Sequence, residues 1–119
     1  MLNFENIGDK FVSVVGTTEW KELQAQFNEC EDIYVLGHGG NLAVADHAAV
    51  DMTRLSNGTK NAISPGSAIV ATSLINDTSF DQWMVSWLSA RTSTRTEAQM
   101  KKSLVLGVSS SGKSTDIIK

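Results

Sequence analysis

The chain has 119 residues, with 10 Lys plus Arg against 13 Asp plus Glu and a net charge of -3. That length fits one domain with a real core, and the acidic balance excludes the basic surface that a phosphodiester backbone requires, so no nucleic acid partner is expected. The single cysteine, Cys30, excludes an intrachain disulfide, and neither a signal-type segment nor a bilayer-length apolar run is present; the expectation is a cytoplasmic chain with no membrane partner.

Four segments carry helical periodicity and three read as buried strands, in alternation, which predicts a parallel sheet. Residues 4 to 15 are weakly helical, and Thr17 or Thr18 caps a second helix that sets Trp20, Leu23 and Phe27 on one face. These helices occupy residues 1–30. Cys30 lies between Glu29 and Glu31, which should raise its thiol pKa, so it reads as structural and not nucleophilic. Ile33-Tyr34-Val35-Leu36 is the first strand, and it runs into the turn Gly37-His38-Gly39-Gly40. Asn41 is expected to cap the next helix, which turns Leu42, Ala45, Ala49 and Met52 inward before Ser56-Asn57-Gly58 ends it. Pro65-Gly66 leads to an expected second strand, Ala68-Ile69-Val70-Ala71. After Asn76-Asp77, a helix from about Ser79 places Phe80, Trp83, Met84, Trp87 and Leu88 at the spacing of a helix docked on a sheet. The polar stretch from Arg91 to Lys102 reads as an exposed loop in which a helical start is left open, and Ser103 to Val108 as the third strand. Trp20, Trp83, Trp87 and the methionines are assigned to the core.

The chemistry concentrates at two strand-to-helix turns, Gly37 to Asn41 and Ser109 to Ser114. In parallel α/β sheets such turns lie at the carboxyl edge, and each offers a helix N-terminus suited to an anion. Ser109, Ser110, Ser111, Ser114 and Thr115 supply hydroxyls there, either to a phosphate or simply as helix caps. Gly107 to Ser114 also satisfies G-x-x-x-x-G-K-[ST], the nucleotide-binding pattern in which Lys113 would reach the outer phosphates. His47 and Asp51 stand at i and i+4 on one helix face. Such a pair can share a divalent metal, act as acid and base, or be an ordinary surface pair. His38 faces a ligand or serves the turn alone.

Together GHGGNLAVADHAAVDM, the later IND and GVSSSGKSTDIIK resemble the SIS (sugar isomerase) domain, most closely its phosphoheptose isomerase branch, over roughly residues 20 to 119. In that branch G-N-G-G-S is followed six residues later by a histidine and four after that by a glutamate; the same steps here meet Asn41, His47 and Asp51. The family's S-T-S-G-N-S phosphate loop differs at two positions from Ser109-Ser110-Ser111-Gly112-Lys113-Ser114, and one of those changes creates the nucleotide-type match.

The resemblance implies a three-layer α-β-α fold with a parallel sheet in the flavodoxin-like order, with residues 33–119 as a β-α-β-α-β-α phosphosugar-binding portion. It implies a heptose phosphate held by His38, Gly39, Gly40, Asn41, Asn76, Asp77, Ser109, Ser110, Ser111 and Ser114. His47 and Asp51 would be zinc ligands and catalytic residues, Asp51 moving the proton between C1 and C2 of the sugar by way of an enediol, with no nucleotide expected as cofactor. Against the family, His38 replaces an asparagine, Asn41 a serine, Val44 an aspartate and Asp51 the longer glutamate, and two further strands are wanting. The resemblance therefore also implies a truncated sheet of about three strands, an open edge at the third, and a homo-oligomer that completes it. A non-catalytic phosphosugar-binding module is the second reading, and a P-loop nucleotide-binding protein the third.

Overall fold

The computed structural model describes residues 5–66 and 68–109. Along the chain run α1 (Ile7–Val15), α2 (Thr18–Glu29), β1 (Asp32–Leu36), α3 (Gly40–Leu55), β2 (Asn61–Ile63), α4 (Ala68–Asp77), α5 (Trp83–Thr92), α6 (Glu97–Lys101) and β3 (Ser103–Gly107). The three strands form one parallel sheet in the order β2-β1-β3, flanked by helices on both faces, so the architecture is α/β with three layers. Asp32 pairs with Asn61 on one side and Ser103 on the other, and the bond from the Val108 N–H to the Leu36 carbonyl (2.8 Å) carries the β1–β3 pairing one step past Gly107.

The core is two-sided because β1 is buried on both faces, as the period of two requires. Ile33 and Val35 face one way with Cys30, Ala45, Ala49 and Ala62, and Phe27, Met52, Leu104 and Leu106 close around them. Tyr34 and Leu36 face the other way with Leu42, Ala71, Trp83, Met84 and Trp87. Trp83 is fully enclosed, whereas Trp20 is only partly buried and Met100 is exposed, so the core assignment holds for Trp83, Trp87 and Met84 and not for those two.

Local chemistry explains most boundaries. The Thr17 hydroxyl accepts the Trp20 N–H and starts α2, as the sequence suggests. The expected strand Ala68 to Ala71 is instead the first turn of α4. Its inward residues are Val70, Ala71, Leu74 and Ile75, a period near 3.6 and not two, while Ile69 points to solvent. The second strand is the three-residue β2, which begins before Pro65 and is too short to show an alternation. The helix expected from Ser79 starts at Trp83; residues 79 to 82 form a turn in which the Gln82 and Trp83 N–H groups donate to the Ser79 carbonyl. The polar stretch after Arg91 is not a loop throughout: α5 continues to Thr92, and a reciprocal capping box between Thr96 and Gln99 begins α6. Among the described residues no helix is long and apolar enough to cross a membrane.

Cys30 is buried, its thiol donating to the Phe27 carbonyl (3.1 Å), and its pKa is raised above 9.0. The larger cause is burial and not the flanking glutamates; Asp32 adds a smaller push upward, while Lys60 and the backbone hydrogen bond pull down.

Candidate functional site at the carboxyl edge

Chain direction across the sheet reverses at β1. The chain leaves β1 for β2 on one side and returns to β3 on the other, so the turns that follow β1 and β3 leave the carboxyl edge side by side. That is the topological switch point, where open α/β sheets leave a crevice for ligands.

The first wall of this crevice is fixed by glycine. A Cβ on Gly37 would lie 2.3 Å from the Asn41 carbonyl oxygen and 2.9 Å from the Leu42 nitrogen, so the chain folds back on itself more tightly than any other residue permits. Gly39 has φ 62° and ψ −131°, a region open to glycine, and it occupies the N-cap of α3. Asn41, expected as the cap, therefore sits inside the first turn; its N–H donates to the His38 carbonyl (3.2 Å) and that of Leu42 to the Gly39 carbonyl (3.0 Å). Gly40 has open space where a Cβ would stand, so nothing steric demands glycine there.

His38 is half-buried, and its ring meets Phe80 edge-on at 5.1 Å between centroids and tilts against Trp83 at 5.9 Å. The turn between α4 and α5 thus reaches the glycine turn through Phe80, a contact that sequence spacing alone does not reveal. Asn76 and Asp77 end α4 just before that turn; they are exposed, and the Asn76 amide donates to the Asp77 carboxylate at 3.4 Å. Ser109 is half-buried at the start of the loop that follows β3. Ser110, Ser111, Lys113 and Ser114 lie outside the described residues.

His47 and Asp51 do form the expected pair, Nε2 to Oδ2 at 3.3 Å, and Arg54 approaches the other carboxylate oxygen at 3.6 Å. They stand on the outer face of α3, the His47 side chain 78% exposed, in an open groove with Ala43, Val44 and Ala48. Asp51 is ten residues beyond Asn41, roughly 15 Å along the helix axis. Within one chain the pair is therefore separate from the crevice. Nor does it complete a metal site. Among the described residues no group of three or more His, Cys, Asp or Glu side chains could hold a metal ion, and two donors fall short of the three or four that zinc takes from protein.

Comparison of the chain with family models, with curated proteins and with solved structures finds no match.

Proposed function

We propose that this chain is a phosphosugar-binding domain of the sugar isomerase type, an aldose-ketose isomerase resembling phosphoheptose isomerase. The observation that carries the reading is the adjacency of β1 and β3. It brings the glycine turn at Gly37 to Asn41 beside Ser109, the last described residue after β3. In this reading the crevice takes the phosphate on small residues and helix N-terminal N–H groups, while His38 and Asn41 line the sugar and Asn76 and Asp77 approach from the end of α4. The substrate would be a heptose phosphate, and the chain would work in the cytoplasm, where a lone buried thiol such as Cys30 stays reduced.

Proton transfer between C1 and C2 calls for a carboxylate within hydrogen-bond reach of the substrate carbon. Asp51, held by His47, is the candidate, and in this reading it would serve the crevice of a second copy. The exposed face of α3 that carries the pair also carries Val44 and Leu55, and α1 exposes Ile7, Phe11, Val12 and Val14. Apolar surface of that extent supports a homo-oligomer. A zinc ion on His47 and Asp51 would need its remaining ligands from that second copy as well.

The separation of His47 and Asp51 from the crevice also favours a second reading, a phosphosugar-binding module without turnover. Calorimetric titration of the full chain with sedoheptulose 7-phosphate, and separately with ATP and magnesium, distinguishes the possibilities. Saturable sugar phosphate binding with turnover that Asp51→Asn abolishes supports the isomerase. Binding without turnover supports the module. Saturable ATP binding lost in Lys113→Ala overturns both.

A further inference from the structure

A second polar cavity lies far from the glycine turn, on the face of the sheet covered by α5. It has a volume of about 150 Å³ and is lined by Asp32, Tyr34, Asn61, Ile63, Arg91 and Arg95. It sits toward the amino ends of β1 and β2, roughly 10 to 15 Å down the strand from Gly37. Its lining is rich in donors. Tyr34 is buried, at 5% exposure, and lines the cavity. Arg95 gives one terminal nitrogen to Asp32, and its Nε is buried with no acceptor. The pair is thus held through a single nitrogen, where a guanidinium can present five N–H groups. Arg91 has its guanidinium over the Trp87 ring at 5.5 Å and no carboxylate partner among the described residues. Two arginines against one carboxylate leave the cavity one positive charge in excess.

Burial without partners is costly for polar groups, so a donor-lined space of this kind is either filled by water or built for an acceptor. Water needs no excess charge and no second arginine. The geometry points to a binding site for a free oxoanion of phosphate size, held by Arg91 and the unused N–H groups of Arg95, with the Tyr34 hydroxyl and the Asn61 amide completing the shell. Asp32 also lines the cavity, where one of its carboxylate oxygens is taken up by Arg95. The site sits at the opposite end of the strands from the crevice proposed for the sugar phosphate and stands independently of that proposal.

The test is titration of the full 15N-labelled chain with inorganic phosphate at constant ionic strength, followed by amide shifts. Saturable shifts are expected at residues 32–34, 61–63 and 91–95. Arg91 is exposed and meets the core through its guanidinium over the Trp87 ring, so Arg91→Gln should stay folded and weaken binding about tenfold or more, while Tyr34→Phe weakens it about fivefold. Ser109→Ala should leave these shifts unchanged, which separates this site from the serine loop. Linear drift without saturation, saturable shifts confined to residues 37–41 and 109, or an affinity that Arg91→Gln leaves intact would each overturn the proposal.

Discussion

Gly37→Ala and Gly40→Ala lie three residues apart in one turn, yet the structure assigns them opposite effects. At Gly37 the added methyl would stand 2.3 Å from the Asn41 carbonyl oxygen, and the atom it meets is backbone, with no flexible end to swing aside. Ordinary contact requires about 1 Å more. Opening the turn by that amount strains or breaks the bonds from the Asn41 and Leu42 N–H groups to the His38 and Gly39 carbonyls. Each such bond contributes about 1 kcal/mol net, and forced overpacking adds about 1 to 3 kcal/mol, so the expected loss is about 3 to 5 kcal/mol. At Gly40 no atom lies within 4 Å of the new methyl, the residue is the first of α3, and alanine should be neutral or stabilise by up to about 1 kcal/mol. Urea unfolding followed by tryptophan emission reads both variants. With a slope of about 1 to 3 kcal/mol per molar, Gly37→Ala should lower the midpoint by about 2 M while Gly40→Ala leaves it level or higher. A Gly37→Ala protein within about 1 kcal/mol of the parent would refute the reading of the turn as a close-packed device.

Trp83, fully enclosed between the sheet and His38, should cost about 3 to 5 kcal/mol on truncation to Ala, seen as a fall in Tm. Trp83→Phe should lose much less and keep the His38 ring in place, checked by the shift of its imidazole protons. The raised pKa of Cys30 means that the native state holds the thiol proton to higher pH than the unfolded chain does. Its stabilising contribution is complete below pH 9.0 and is lost as pH rises through the higher native value, so unfolding free energy should fall on the alkaline side. Cys30→Ala should remove that alkaline dependence, and iodoacetamide should label native Cys30 far more slowly at pH 8 than the urea-unfolded chain. Asp51→Asn changes a half-exposed carboxylate whose partners are His47 and Arg54, so thermal stability should move by no more than about 1 kcal/mol. The same variant should abolish aldose-ketose turnover if the pair is catalytic, a loss measured by product formation from sedoheptulose 7-phosphate.

What the sequence made legible is what local chemistry determines. Ile33 to Leu36 is continuously apolar because a central parallel strand is buried on both faces, and the helix after Gly39 shows its inward residues at the right spacing. Misreadings arose where two periods fit one run. Ala68 to Ala71 is apolar at four successive positions, and only the later Leu74 and Ile75 reveal that the face repeats every three to four residues. Thr96 and Gln99 did carry a readable capping box, obscured by the charge around it. The Asp32–Arg95 pair, the contact of His38 with Phe80 and the cavity beside Tyr34 all join distant segments. No spacing rule encodes those, since they follow from the order of the strands.

That order also explains why α3 can serve two masters without conflict. Its inner face, Ala45 and Ala49, is fixed by close approach to Ile33 and Val35, where small side chains let the helix lie near the sheet. Its outer face carries Val44, His47, Asp51 and Leu55, which stay exposed or half-exposed among the described residues. Evolutionary change on the outer face is therefore cheap in stability, whereas change at Gly37 or Ala45 is not. A glutamate at position 51 would extend the carboxylate by one methylene into open solvent, so Asp51→Glu should leave the unfolding free energy within about 0.5 kcal/mol of the parent. If the resemblance to the isomerases describes the chemistry, the same change should raise turnover, because the longer arm reaches the substrate of a neighbouring copy. Turnover that Asp51→Glu and Asp51→Asn both leave unchanged would remove the pair from the mechanism, and sugar phosphate binding with no turnover in the parent chain would leave the crevice as a binding site alone.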